Sequence, residues 1–190
     1  DLTNELIAAP AATDAASLQA ALDAAADNGG VVLLSGEIRL DEPLTYAGTN
    51  RLTLVGSNDA RIVGPVVEIA APGNSGARVG EETIGDGLQI LGAAGLRIFG
   101  VDFADQSGHG IYYEFTPDAT GTTFISMTNV AFSGQGLTGT WIEDQNGGSE
   151  TEPIAINSDA SISLRLRDVS VTGTGFADDP SATTEGDRKS

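Results

Sequence analysis

Apolar and polar positions alternate along this chain in a pattern that returns three times, at 96–103, 125–132 and 164–171. Alternation with a period of two is typical of strands that bury one face. Four positions are apolar in every copy, and they are Leu96, Ile125 and Leu164, then Ile98, Met127 and Leu166, then Val101, Val130 and Val169, and finally Phe103, Phe132 and Val171. Each copy therefore predicts two short strands that share an inward face.

A bend is predicted in the middle of each copy. Gly100, Asn129 and Asp168 stand between the second and third apolar positions, and these residue types tolerate a left-handed backbone. The central valines are 29 and then 39 residues apart. Repeats of this length indicate solenoids, propellers or arrays. A one-residue bend favours a coil whose equivalent strands stack in parallel, about 4.8 Å apart.

One helix is predicted over 14–28. Asp14 or Ser17 supplies a cap at its start, and the Gly-Gly pair at 29–30 ends it. Leu and Ala fill one side of the segment, so the helix has a single apolar face. Because the first strands of a coil expose an edge and an apolar cross-section, we expect this helix to cover them.

The opening of the chain resembles that of a known superfamily. The sequence Leu-Gln-Ala-Ala-Leu-Asp-Ala-Ala at 18–25, the Gly-Gly pair, an apolar strand at 31–34 and Leu-Thr-Leu-Val-Gly at 52–56 are similar to the pectate-lyase-like right-handed parallel β-helix superfamily. The resemblance implies an all-β fold, a right-handed parallel β-helix solenoid of about five rungs with an N-terminal capping α-helix. It implies no single activity, because lyases, hydrolases, epimerases, tailspikes and adhesins share this fold.

The domain organisation follows from the same pattern. We expect one domain over 1–190, with the capping helix at 14–28, rungs over 31–176 and an exposed tail or loop at 177–190. No cap is evident after the last rung. The sequence therefore predicts either a longer β-helix, of which this chain is a part, or a second protomer that stacks on its C-terminal end.

Composition excludes several classes of protein. Acidic residues outnumber basic ones 27 to 9, which gives a formal net charge of -18 and argues against a nucleic-acid partner. No apolar run reaches the roughly 20 residues that span a bilayer, so no membrane span is predicted. The chain has no cysteine, which excludes a Cys-based zinc site. We expect a secreted or cell-surface location.

Two arginines are candidate substrate-binding residues. Arg97 and Arg165 occupy the same outward position of the first and third copies, which places them two rungs and roughly 10 Å apart. A uronate unit of a polysaccharide fits across such a pair. The competing interpretation is that both arginines form ion pairs with the surrounding acidic residues.

Two aromatic residues are further candidates. Tyr112 and Trp141 lie near the edges of adjacent rungs, where a ring can stack on a sugar. A place in the core is equally compatible with their positions. His109 stands in Ser-Gly-His-Gly, which resembles a motif of polygalacturonase-type glycosidases. The rest of that motif is missing, and Gly-x-Gly recurs at 134–136 and 173–175, so we expect a structural role for His109.

Carboxylates supply two other hypotheses. Asp102 and Asp105 precede His109 and could form an acid–base pair for glycoside cleavage, although solvated surface is the simpler interpretation. Calcium is the one cofactor considered, because Asp and Glu oxygens hold this hard cation. The candidate ligands are Glu143, Asp144, Asp178 and Asp179.

Together these features predict an extracellular structural or carbohydrate-binding β-helix module of a larger protein, with no catalysis by these residues. The alternative is the N-terminal portion of a polysaccharide-active enzyme, a uronate lyase, glycoside hydrolase or epimerase, whose catalytic rungs lie beyond residue 190.

Overall fold

The structure is a computed structural model, and it describes residues 10–67, 78–79, 82–83, 85–114, 123–137, 139–143, 154–157 and 162–173. These residues form one α-helix and a set of short strands, most of which lie in two parallel sheets. The predicted all-β class is therefore confirmed at the level of a mostly β fold with one helix. No helix in the described part of the chain is long and apolar enough to cross a membrane.

Helix α1 spans Ala15–Asn28, close to the predicted 14–28. The Asp14 side chain accepts a hydrogen bond from the Ser17 backbone N–H at 2.8 Å, and the Ser17 hydroxyl oxygen accepts one from the Asp14 backbone N–H. This reciprocal pair satisfies two backbone donors at the start of the helix. It also lowers the pKa of Asp14, chiefly through the Ser17 backbone N–H. The helix ends at Gly29, whose φ is 72°.

The helix covers one end of the two sheets, as predicted for a cap. Leu18, Leu22 and Ala25 are buried on its inner face and belong to the main core. The Gln19 amide binds the backbone of Thr45 in both directions, accepting from its N–H at 2.9 Å and donating to its carbonyl at 2.7 Å. Backbone groups of a strand at this end are therefore satisfied by a helix side chain.

Thirteen strands follow the helix in the part of the chain that the structure describes. They are β1 (Val31–Arg39), β2 (Leu44–Ala47), β3 (Leu52–Val63), β4 (Arg78–Val79), β5 (Glu82–Thr83), β6 (Leu88–Leu91), β7 (Gly95–Phe99), β8 (Asp102–Ala104), β9 (Ile111–Glu114), β10 (Thr123–Ser133), β11 (Thr140–Glu143), β12 (Ile154–Asn157) and β13 (Ile162–Thr172).

Two parallel sheets contain all but two of these strands. The first sheet has the order β1-β3-β7-β10-β13, and β8 continues β7 between β3 and β10, after the bend at Gly100. The second sheet has the order β2-β6-β9-β11-β12. Strands β4 and β5 form a small antiparallel pair. Through β11 the chain passes alternately from the first sheet to the second, so each new strand lies beside its counterpart from the preceding pass.

The predicted alignment of the three copies is confirmed by the pairing of β7, β8, β10 and β13. Val130 pairs with Val169, and the flanking pairs Met127–Ile98 and Phe132–Phe103 place Val101 opposite Val130. The offsets of 29 and 39 residues hold along the full length of β10. Side chains of one column therefore stack directly upon one another inside the molecule.

The predicted bends are also confirmed. Gly100, Asn129 and Asp168 all have left-handed backbones, with φ of 66°, 54° and 53°. The left-handed residue stands where the next inward side chain would fall. The next inward side chain therefore comes one residue further along the chain than strict alternation would place it. That is why the second and third apolar columns of each copy are three residues apart while the other columns are two apart.

The core is the space that both sheets face and α1 closes. The largest buried side chains on the inward columns are aromatic, among them Tyr46, Tyr113, Phe103 and Phe132. The two phenylalanine rings stack with centroids 5.4 Å apart. Burial raises the pKa of Tyr46 and, more strongly, that of Tyr113, whose hydroxyl donates to the Ala93 carbonyl at 2.6 Å.

Strand β12 departs from the alternation between sheets. It follows β11 in the chain and pairs with it in the second sheet, so the chain adds two second-sheet strands in succession before β13. The interval between the second and third valines is ten residues longer than the first, 39 against 29. The additional length falls between β10 and β13, where the extra strand lies.

Candidate functional site

The outer face of the first sheet carries the two predicted arginines. Arg97 on β7 pairs with Ser126 on β10, and Ser126 pairs with Arg165 on β13. Both arginines are exposed. They therefore lie in one outward row, two strand spacings or about 10 Å apart, as the sequence predicted. Their role in binding a substrate stays a prediction.

Two more arginines extend this surface. Arg167 follows Arg165 at the next outward position of β13. Arg51 immediately precedes β3, and a Cβ added at Gly95 would stand 3.3 Å from its Nε atom, so the Arg51 side chain lies over Gly95. We call the outward surface formed by 51–55, 95–99, 124–128 and 163–167 the arginine face. It holds four of the nine basic residues of the chain.

Two exposed phenylalanines lie among these arginines. Phe99 is 53% exposed and shares an outward row with Thr128 and Arg167. Phe124 is 52% exposed and pairs with Gly95, the residue that Arg51 crosses. Phe99 and Phe124 are the only aromatic residues among the exposed large hydrophobics of the described chain. The arginine face thus combines guanidinium groups with accessible aromatic rings.

Carboxylates are missing from the described outward positions of this face. Across all four segments the outward residues are Arg51, Thr53, Val55, Gly95, Arg97, Phe99, Phe124, Ser126, Thr128, Ser163, Arg165 and Arg167. Arg167 pairs with the bend residue Asp168 at 3.4 Å, with both side chains largely exposed. Among the residues that the structure describes, neither Arg97 nor Arg165 has an ion-pair partner. The competing prediction of ion pairs is therefore not met in the described part of the chain.

The outer face of the second sheet is different. Tyr112 on β9 pairs with Trp141 on β11, and the two side chains are 1% and 0% exposed. They form a small apolar cluster of their own, apart from the main core, together with Leu91. Of the two positions compatible with the sequence, the structure therefore has the buried one, and a role for these rings in binding sugar stays a prediction.

His109 and Asp86 belong to the same buried region. The Asp86 carboxylate accepts a hydrogen bond from the His109 backbone N–H at 2.8 Å, and both residues are fully buried. The His109 ring stacks on Trp141 with centroids 5.7 Å apart. The expected structural role of His109 is consistent with this packing, since the imidazole does not face solvent.

The Gly-x-Gly segments at 108–110 and 134–136 are not level with one another in the strand register. The 29-residue register places Gly134 level with Asp105 and Gln135 level with Gln106, not with the Gly-His-Gly segment. Gln135 donates to the Gln106 side-chain oxygen at 2.8 Å, and Gln106 donates to the Ile62 carbonyl at 3.0 Å. A ladder of buried amides, which sequence reasoning missed, therefore supports this corner of the fold.

Asp102 and Asp105 have identifiable structural roles. One carboxylate oxygen of Asp102 accepts a hydrogen bond from the Ala131 backbone N–H at 3.0 Å, which ties β8 to β10. Asp105 is a left-handed bend residue with φ of 58°, and the equivalent bends are Gly134 and Gly173, at 71° and 63°. Both carboxylates are exposed. The interpretation as solvated surface fits this geometry better than an acid–base pair.

The calcium prediction concerns residues that are mostly outside the described chain. Asp144, Asp178 and Asp179 lie outside the described residues, and Glu143 is described only as the last backbone position of β11. Among the side chains that the structure does describe, no group of three or more His, Asp or Glu residues is placed to hold a metal ion. Calcium binding stays a prediction.

Sequence reasoning found two of the six residues that define the arginine face. Arg51, Phe99, Phe124 and Arg167 were missed, although each stands at the outward phase of an alternating strand. An aromatic residue at an outward position is a signal for a binding surface, because a large apolar side chain there is not explained by core packing.

Comparisons with known proteins identify no relative. Neither a protein-family model, nor a curated protein, nor a solved structure matches this chain. The resemblance to the pectate-lyase-like superfamily therefore stays a prediction, and the arguments for function come from the arginine face itself.

Proposed function

We propose that this chain is a right-handed parallel β-helix module of a secreted or cell-surface protein, and that its arginine face binds an acidic polysaccharide. The observation that carries the proposal is the shared outward row of Arg97 and Arg165, flanked by exposed phenylalanines and free of carboxylates at the described positions. Binding requires no catalytic group, and the module acts by holding the polymer.

The order of the strands supports a coil. When β7 and β8 are counted as one pass through the first sheet, and the small antiparallel pair β4–β5 is set aside, the chain alternates between the two sheets from β1 to β11. Each sheet grows by one parallel neighbour at a time. Parallel neighbours in one sheet must be joined by a crossover, and such crossovers are right-handed in about 98% of cases. A right-handed coil is therefore the favoured way of connecting these two sheets.

The chemistry of the arginine face supports an anionic ligand. The planar guanidinium group binds a carboxylate through two parallel hydrogen bonds, which makes arginine the preferred side chain for this group. The rest of the chain is strongly acidic, with a formal net charge of -18. An acidic polymer is repelled by most of this surface, so electrostatics concentrates its binding on the arginine face.

The exposed rings support a sugar over other anions. The flat apolar side of a sugar ring packs on an aromatic side chain while its polar rim stays hydrated. Phe99 and Phe124 are offset from the row of Arg97 and Arg165 by two residues in opposite directions along the strands. A polymer with alternating ring faces and carboxylates can therefore contact both kinds of side chain at once.

The test is a binding measurement with polygalacturonate and alginate, with uncharged dextran as the neutral probe. We expect the two polyuronates to bind and dextran not to bind, as measured by isothermal titration calorimetry. Arg97→Gln and Arg165→Gln should each weaken binding about tenfold, since each removes one charge-assisted contact. Added salt should weaken binding as well, because exposed charges are screened within about 10 Å at 0.1 M ionic strength.

Arg39→Gln is the matched control. It removes the same charge from another exposed position of the first sheet, where Arg39 pairs with Glu37 at 2.6 Å and lies away from the arginine face. Equal losses in Arg39→Gln and Arg97→Gln would show that only net charge matters and would overturn the proposed site. Failure of both polyuronates to bind would overturn the function.

Cleavage of the polymer would favour the alternative, a polysaccharide-active enzyme. The same incubations report it directly, through the ultraviolet absorbance of unsaturated sugar ends or through new reducing ends. We expect neither signal from this chain, because the described outward positions of the arginine face hold no carboxylate and no histidine that could act as an acid–base pair. A turnover that is lost in Arg97→Gln would contradict the non-catalytic proposal.

A further inference from the structure

Strand β13 is an open edge of the first sheet. It pairs with β10 on one side, and no other described strand pairs with it on the other. Its inward side chains are less covered than their counterparts on β10: Leu166 is 42% exposed, whereas Met127 in the same column is 0% exposed. Ile162, Leu164, Val169 and Val171 are only partly buried. An edge with free backbone groups and apolar side chains is a template for another strand.

The opposite end of the sheets is covered. Helix α1 packs over it, and Ala12 adds a bridge to β1 through hydrogen bonds of 2.8 Å and 3.0 Å to Leu33 and Ser35. A second molecule therefore cannot dock its helix-covered end on β13 through strand pairing. An open strand edge that can pair with β13 is the β13 edge of a second copy.

The sequence of β13 is complementary to a second β13 strand that runs antiparallel to it. The left-handed bend at Asp168 resets the alternation, so the inward residues are Leu164 and Leu166 before the bend and Val169 and Val171 after it. When a second copy of β13 is rotated by 180° about an axis between Arg167 and Asp168, Leu166 lies opposite Val169 of the second copy. In the same register Leu164 lies opposite Val171. Every inward residue then meets an inward residue, as an antiparallel pair requires.

The outward residues match in the same register. Arg167 comes opposite Asp168 of the second strand, and Arg165 comes opposite Ser170. Opposite charges facing one another across a strand pair are stabilising. A shift of one residue would place inward side chains opposite outward ones, so the register is well determined. The bend also falls at the centre of the pair, so two bent strands can follow one another over their whole length.

We infer that two copies of this chain associate tail to tail, with β13 of one copy paired antiparallel to β13 of the other about a two-fold axis between Arg167 and Asp168. The edge is locally suited to association in spite of the acidic chain, because β13 carries Arg165 and Arg167 and only one acidic residue. Salt strengthens the dimer by screening the repulsion between the remaining acidic surfaces. This inference does not depend on polysaccharide binding.

Disulfide trapping tests the register. The chain has no cysteine, so Arg165→Cys with Ser170→Cys introduces the only thiols. Directly opposite residues of an antiparallel pair have Cα atoms about 4.5–5.5 Å apart, which a disulfide can bridge. Within one chain the two positions are more than about 10 Å apart along the strand. We expect mild oxidation to convert this double variant into covalent dimers.

The matched control is Ser163→Cys with Ser170→Cys. Both positions are outward, but in the inferred register they are diagonal neighbours about 7–8 Å apart, beyond the reach of a disulfide. We expect few covalent dimers from this pair. Preferential trapping of the control pair, or equal trapping of both pairs, would overturn the register.

Analytical ultracentrifugation of the full chain tests the association itself. We expect a monomer–dimer equilibrium that shifts towards the dimer as salt is added, and at least a tenfold weaker dimer for Leu166→Glu. Leu166 is already partly exposed in the monomer, so the variant should fold, and circular dichroism checks this. A chain that is monomeric at all concentrations, or one that forms open-ended polymers, would overturn the inference.

Discussion

The outward faces of the two sheets hold aromatic residues in very different surroundings. Phe99 and Phe124, on the first sheet, are about half exposed and lie among arginines, whereas Tyr112 and Trp141, on the second, are buried beside His109. Both pairs occupy outward positions of parallel strands with the same alternation. The difference teaches that alternation separates inside from outside, but does not decide which outside face is available to a ligand.

The largest expected effect comes from removing the buried ring. Trp141→Ala should lower the free energy of unfolding by about 3–5 kcal/mol, because it empties a fully buried site beside Tyr112 and His109. Urea unfolding followed by circular dichroism measures the change, since the only tryptophan is lost. A decrease below about 1 kcal/mol would show that the second sheet's outer face is a surface after all, like the arginine face.

High pH should destabilise the second sheet through Tyr113 on its inner side. Burial raises the pKa of Tyr113 well above the ordinary 10.0, so above pH 10 the unfolded chain releases a proton that the folded chain retains. Stability is therefore full below pH 10 and should fall by about 1.4 kcal/mol per pH unit above it for this residue. Urea unfolding at pH 9 and at pH 11.5 measures the loss.

Tyr113→Phe is the control for the alkaline effect. The variant should be less stable at pH 9, since the hydrogen bond to the Ala93 carbonyl is lost, but its stability should decline less steeply above pH 10. Burial also raises the pKa of Tyr46, so Tyr46 should contribute to the decline that remains. If the free energy of unfolding of Tyr113→Phe declined as steeply with pH as that of the unchanged chain, a group other than Tyr113 would cause the alkaline effect.

A moderate loss of stability is expected when the Asp102 carboxylate, at the start of β8, is removed. Asp102→Ala removes the acceptor of the Ala131 N–H and should cost about 1 kcal/mol of stability. Asp102→Asn retains an oxygen acceptor and should restore most of the loss. Thermal unfolding of the two variants measures this, and equal stability of Asp102→Ala and the unchanged chain would exclude a structural role for this carboxylate.

The smallest effect on stability is expected on the arginine face. Phe99→Ala should change the free energy of unfolding by no more than about 0.5 kcal/mol, because the ring is half exposed. The same variant should weaken polyuronate binding severalfold through loss of ring stacking. A variant that binds as well as the unchanged chain would remove the phenylalanines from the proposed site while leaving the arginines in it.

The stacking register was predictable from the sequence, and the reason is physical. Inward columns such as Val101, Val130 and Val169 must all be apolar, and the bend between them accepts few residue types, so both signals survive in the residue pattern. The same reasoning placed Arg97 and Arg165 in one outward row. Each copy carries its own complete pattern within 96–103, 125–132 or 164–171, so the copies can be aligned without knowledge of the contacts between them.

The rest depended on contacts between distant parts of the chain. Burial of Tyr112 and Trp141 is decided by what covers their face, which strand alternation does not encode. The segments 108–110 and 134–136 both read Gly-x-Gly, but they follow the left-handed residue of their own copy at different distances. Their relative positions therefore became clear only from the strand pairing. The addition of β12 to the second sheet likewise gave no periodic signal.

The repeat tolerates connections of different length between equivalent strands. The second interval is longer than the first by ten residues, yet every apolar column still meets its neighbour. Packing therefore constrains side chains at fixed places on each strand and does not fix the length of the segments that join the strands. Foreign peptides inserted between β10 and β13, but outside β11 and β12, should leave the interior intact.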